Sequence, residues 1–162
     1  MRSFTVTQLV RGGLIAAVYA ILALLLPEFS YGPVQFRLSE SLVLLPTFLP
    51  EAIPGLIIGC FIANLGSPFG ILDIVCGTLC TALAAWLTWR LRQRSILAIA
   101  APILINAFGV SAYVAWLSQE MYLAIVPMIG ISEAVVVICL ALPFTSMLRR
   151  LLKPAAEGIP LA

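Results

Sequence analysis

Apolar stretches at residues 12–27, 38–49, 52–65, 71–89, 96–117 and 122–148 follow one another along the chain, separated by segments that hold proline, glycine or charge. This pattern predicts six helices. A bilayer crossing takes about 20 residues, so six crossings need roughly 120 and leave about 40 for loops and tails. No second, soluble domain fits that arithmetic. The second and third stretches are short for a full crossing, and Pro46, Pro50 and Pro54 surround their junction. A kink, a tilt or a tight helical hairpin is expected there. No internal repeat or low-complexity tract is visible, which counts against an inverted-repeat transporter.

Composition turns six helices into six transmembrane helices. Of 162 residues 62% are apolar and 10% charged, against about 45–50% and about 25% in ordinary soluble domains. Mean hydropathy is +1.13. The expected fold is therefore all-α, a single polytopic membrane domain. Arg2 and Arg11 precede the first apolar run as in a signal peptide, but the run continues to Leu26, so an uncleaved first helix is expected. A phosphate-cradling Gly-x-x-x-x-Gly-Lys-Ser/Thr loop is absent, so the chain is no ATPase by itself. Cys60, Cys76, Cys80 and Cys139 lie in apolar runs, and there is no histidine to complete a metal set. Neither a metal, a cofactor nor a nucleic-acid partner is expected.

Charge placement orients the helices. Arg2, Arg11, Arg90, Arg92, Arg94, Arg149, Arg150 and Lys153 fall on one side of the six-span topology and only Arg37 on the other. By the positive-inside bias both termini are cytoplasmic, and loops 28–37, 66–70 and 118–121 face outward. Glu28, Arg37, Glu40, Asn64, Asp73 and Glu120 then lie toward the outer side, Asn106 and Glu133 near mid-membrane, and the inner halves carry little beyond threonine and serine. An ionisable group in hydrocarbon costs at least about 2.5–3.5 kcal/mol unless it faces a cavity or a partner. A polar pocket in the outer half is expected.

The run Tyr31-Gly32-Pro33-Val34-Gln35-Phe36-Arg37-Leu38-Ser39-Glu40 is followed by Leu44-Leu45-Pro46 and Ala52-Ile53-Pro54-Gly55-Leu56-Ile57-Ile58-Gly59-Cys60. With Ala63-Asn64-Leu65, Leu72-Asp73-Ile74-Val75-Cys76-Gly77-Thr78-Leu79, Pro102-Ile103-Leu104-Ile105-Asn106-Ala107 and Gly130-Ile131-Ser132-Glu133, it resembles the queuosine-precursor transporter family. The resemblance covers nearly the whole chain in order. Ser41 and Ser132 stand where that family would have alanine and glycine. What it implies is a substrate-binding S component of an energy-coupling-factor (ECF) importer in a prokaryotic cell membrane. Such a subunit captures a pyrrolopyrimidine (7-deazaguanine) precursor from outside. It works with a transmembrane coupling protein and two cytoplasmic ATP-binding subunits, and is no enzyme.

Under that resemblance the candidate ligand residues are Gln35, Arg37, Glu40, Asn64, Asp73, Asn106 and Glu133. Arg37, Glu40 and Ser41 share one face of a helical turn, where Glu40 can accept two parallel N–H donors of the heterocycle and Arg37 can donate or stack. An Arg37–Glu40 ion pair at the membrane edge explains the same residues. Gln35 can give an amide contact or cap the helix. Glu133 can accept from the base or pair with an aminomethyl cation, or bond Asn106 or Thr78 instead. Asp73 equally suits a helix start, and Asn64 and Asn106 equally suit interhelical hydrogen bonds. Tyr31, Phe36, Tyr113 and Trp116 are expected in an aromatic belt, one of them able to stack on the ligand. Gly12, Ala16 and Ala20, with Gly13 and Ala17, form a smooth ridge on the first helix that resembles the docking face of S components. Packing inside the six-helix core explains that ridge as well.

Two other readings fit the same residues. A stand-alone secondary transporter of a small heterocycle would carry a coupling proton on Glu133 or Asp73. An S component for another vitamin-like substrate would keep the same fold. An intramembrane enzyme fits poorly, since the chain has no histidine and Asp73 is its only aspartate.

Overall fold

In the computed structural model, which describes residues 5–30 and 35–157, the chain is helical throughout, with no strand among the described residues. Helix α1 (Val6–Leu25) starts six residues before the apolar run suggested, because Thr5 caps it. The Gln8 N–H donates to the Thr5 hydroxyl at 3.4 Å and the Thr5 N–H donates to the Gln8 side chain at 3.0 Å. After a short turn, α2 (Pro27–Ser30), come two 3-10 turns, Leu38–Leu42 and Leu45–Thr47, then α3 (Ala52–Asn64). A π-helical turn (Asp73–Gly77) leads into α4 (Thr78–Arg90). Helix α5 (Ser95–Ile105) continues through a π turn (Asn106–Val110) into α6 (Ser111–Ser118), and α7 (Tyr122–Val136) through another (Val137–Ala141) into α8 (Leu142–Glu157).

The six expected segments are present in order, but the second is not an α-helix. Leu42, Val43, Leu44 and Leu45 are each at most 4% exposed, so this strand of chain is enclosed on all sides. Pro46 opens its second turn and cannot donate to a continuing α-helix. A 3-10 rise of about 2.0 Å per residue also covers more depth per residue than the 1.5 Å of an α-helix. That extra reach matters because α1 and α3 run parallel. A Cβ built on Gly55 would stand 2.6 Å from the Gly12 carbonyl oxygen, and one on Gly59 2.8 Å from that of Ala16, so the two helices match in the same direction. Residues between them must return the chain from one end to the other.

The same contacts correct the docking assignment. Gly12, Ala16 and Ala20 are buried against α3, whose Gly55 and Gly59 form a Gly-x-x-x-Gly face. Only Gly13 and Ala17 of the ridge point outward. Gly59→Ala should therefore destabilise the fold by about 1–3 kcal/mol through overpacking, since its Cβ would also meet Tyr19 Cβ at 2.8 Å. Gly13→Ala, with nothing within 4 Å, is the matched control. Thermal unfolding in detergent reads the difference, and equal melting of the two variants would refute the close approach.

Outside and inside are inverted relative to a soluble protein. Leu9, Val10, Leu14, Ile96, Leu123, Ile131 and many similar residues are exposed, while Glu40, Asn64, Asp73, Thr88 and Ser111 are almost fully buried. Three helices, Val6–Leu25, Ser95–Ser118 and Tyr122–Leu152, are long and apolar enough to cross a membrane, and Leu38–Thr47 and Ala52–Asn64 are shorter apolar ones. An apolar surface of this extent suits lipid. Interior backbone groups are accounted for accordingly. Pro102 inside α5 cannot donate to the Ala98 carbonyl, and the buried Thr88 hydroxyl donates there at 3.4 Å.

Candidate functional site

The polar residues collect where the 3-10 segment meets α1, α7 and the π turns. Asp73 and Asn106 each begin a π turn, and Glu133 lies four residues before the third. A π turn adds a residue to the helical ladder and so re-aims the side chains around it. Arg37 reaches across 36 residues of sequence to Asp73, its Nη2 donating to both carboxylate oxygens at 3.1 Å, and its Nε donates to the Ser30 carbonyl at 3.3 Å. Tyr113 also donates to Asp73 Oδ1, and Asn64 Nδ2 donates to the Asp73 carbonyl at 2.8 Å. Gly77 makes room for this cluster, because a Cβ there would stand 2.7 Å from Asp73 Oδ1 and 2.9 Å from Asn64 Nδ2.

This arrangement corrects three expectations. Arg37 forms its salt bridge with Asp73 and not with Glu40. Asp73 is not merely a helix-start carboxylate, since a cation and a phenol take its oxygens. Tyr113 is buried at 7% exposure and is no belt residue, whereas Trp116 at 73% exposure keeps that description. Tyr31 lies outside the described residues.

Glu40 sits at 1% exposure with one oxygen accepting from the Tyr19 hydroxyl and the other, Oε2, without a partner among the described residues. Glu133 lies beside Asn106, and its Oε1 has no partner among the described residues. The 3-10 turn that carries Glu40 packs against α7, which carries Glu133. Gln35 joins them. Its carbonyl accepts from the Ser132 hydroxyl at 3.3 Å, while its buried amide Nε2 has no partner among the described residues. Its backbone is left-handed (φ 46), a strained conformation for a residue with a Cβ. The Ser132 hydroxyl shares its proton between the backbone carbonyls of Gln35 and of Ile129, the latter at 3.2 Å. Together the group presents two carboxylate acceptors and one amide donor, and leaving such buried atoms unmatched costs about 1–3 kcal/mol each, more for charged groups.

Tyr19 and Gly77 were not singled out as site residues from the sequence. The signal available for Tyr19 is that it is the lone hydroxyl within the apolar run 12–27. Glu51 was also passed over. It is buried in the half assigned little polarity and pairs with Arg11 at 3.6 Å. Cys60 accepts from Thr81 at 3.2 Å and Asn64 at 3.4 Å, and among the described residues no group of three His, Cys, Asp or Glu could hold a metal ion.

The profile of the QueT transporter family matches residues 9–150. A Lactococcus lactis subsp. cremoris protein named queuosine precursor transporter QueT is 37% identical over 83 residues, 50% of this chain and 48% of that protein. The match thus spans about half the length of that relative. No solved structure matches the chain.

Proposed function

The chain belongs to the QueT transporter family, and from that premise we propose that it is the substrate-capturing S component of an ECF importer for a 7-deazaguanine precursor of queuosine. It spans the cytoplasmic membrane of a prokaryote with both termini inside, as the basic residues argue. The observation that carries the reading is the unmatched trio of Glu40 Oε2, Glu133 Oε1 and Gln35 Nε2. A 7-deazaguanine offers a ring N–H beside an exocyclic amine, two donors that suit carboxylate acceptors, and a ring carbonyl that suits an amide donor. Glu133 also suits the cation of the aminomethyl form. Arg37, Asp73 and Asn64 build the wall of the site by holding one another, and Asn106 adds a further amide beside Glu133.

In this reading a coupling protein and two ATP-binding subunits supply the nucleotide-binding loop that this sequence lacks. The outward part of the α1 ridge, Gly13 and Ala17, is the proposed docking surface, because α3 occupies the rest. Ala17→Leu should leave ligand binding unchanged and cut uptake roughly tenfold, equivalent to about 1.4 kcal/mol of association. Normal uptake by that variant would remove the assignment. Uptake in cells lacking any ECF module should be absent. Uptake without the module that a protonophore abolishes would instead favour a secondary transporter with Glu133 as proton carrier.

A further inference from the structure

Away from this site, where the turn between α4 and α5 meets α8, a cavity of about 190 Å³ opens between Leu44, Arg92, Ser95, Ala98, Thr145 and Arg149. Leu44, Ala98 and Thr145 are buried and form its base, while Arg92, Ser95 and Arg149 are exposed and form its rim. Thr145 is 9% exposed, and its hydroxyl has no hydrogen-bond partner among the described residues. Helix α5 begins at Ser95 with no side chain closing its first turn, so its first N–H groups are presented beside the cavity.

Among the described residues no acidic side chain pairs with the charge there. Ion pairs among the described residues are Arg11–Glu51 and Arg37–Asp73, and neither Arg92 nor Arg149 takes part in one. No acidic residue lines the cavity. Arg92 is held at the rim by Trp89, with its guanidinium 4.8 Å from the ring centroid and Nη1 donating to the Trp89 carbonyl at 2.9 Å. Two guanidinium groups, a helix N-terminus and an orphan hydroxyl converge as donors, and the matching ligand is an oxyanion with several acceptor oxygens. Ile96 follows Ser95 of the rim and is 81% exposed, and Leu44, Ile99 and Leu142 line the cavity itself. Those surfaces suit hydrocarbon and select an amphiphile over a free ion.

We propose that this cavity binds the phosphate headgroup of an anionic phospholipid. The inference rests on the membrane location of the chain and not on the transported substrate. Its test is native mass spectrometry of the full-length protein exchanged from neutral detergent into micelles containing phosphatidylglycerol or phosphatidylcholine. The protein should retain phosphatidylglycerol and lose phosphatidylcholine. A basic residue near an anionic lipid contributes about fivefold, so Arg92→Gln with Arg149→Gln should lower retention roughly 25-fold. Arg92→Lys with Arg149→Lys, which keeps the charge, should lose much less. Precursor binding in the same samples should not change, which separates this site from the substrate site. Equal retention of both lipids, or no effect of the Gln pair, would overturn the proposal. Displacement of the lipid by millimolar inorganic phosphate, with phosphate bound alone, would overturn the lipid assignment in favour of the free anion.

Discussion

Replacing Asp73 with asparagine is expected to destabilise the protein by about 3–5 kcal/mol, the cost of stranding a buried charge by removing its partner. Arg37 is 7% exposed and Asp73 0%. The guanidinium donates through Nη2 to both oxygens of the carboxylate and cannot shed its proton, so the asparagine variant removes the counter-charge of this salt bridge from a buried cation. The effect spreads, because Tyr113 and Asn64 also bond Asp73 and tie α6 and α3 to the same point. Arg37→Gln combined with Asp73→Asn should regain much of the loss, since two neutral amides can bond each other at far lower desolvation cost. Thermal unfolding of the parent, Asp73→Asn, Arg37→Gln and the double variant in one detergent checks the cycle. A single variant as stable as the parent would show that the pair does not hold the fold.

Glu40→Gln should do the opposite, sparing the fold and weakening precursor binding by roughly 10- to 100-fold. Hydrogen bonds to a charged group contribute about 1.5–3 kcal/mol each, and the substitution removes the charge while leaving an amide oxygen for the Tyr19 hydroxyl. Removing a buried negative charge relieves desolvation, so melting should hold or rise slightly. The free oxygen of Glu40 is what the prediction rests on. Unchanged affinity with unchanged stability would confine Glu40 to its contact with Tyr19.

How far the sequence reached can be seen residue by residue. Length and hydropathy separate six helical stretches cleanly because lipid imposes continuous apolar runs, and Glu40, Glu133 and Gln35 stand out because charged and amide groups are scarce among them. The 3-10 form of residues 38–47 was not legible, since an apolar run with proline reads alike whether one side or all sides are covered. Pairing was not legible either. Arg37 sits three residues from Glu40 and 36 from Asp73, and only the packing of the π turn against α3 decides between them. The Gly12–Ala16–Ala20 ridge announced a close helix contact without saying whose, although Gly55 and Gly59 carry the complementary spacing. Tyr113 looked like a belt residue because a tyrosine near a helix end serves either role until its hydroxyl finds a partner.

The central claim, that this chain alone captures a queuosine precursor, is tested most directly by isothermal titration calorimetry of the purified protein without any partner subunit. The nitrile and aminomethyl 7-deazaguanines would be titrated, with guanine and riboflavin as controls. Submicromolar binding of at least one precursor, well above both controls, is the predicted result. No binding of either precursor, or equal binding of riboflavin, would contradict the claim and leave the six-segment helical fold with a different ligand.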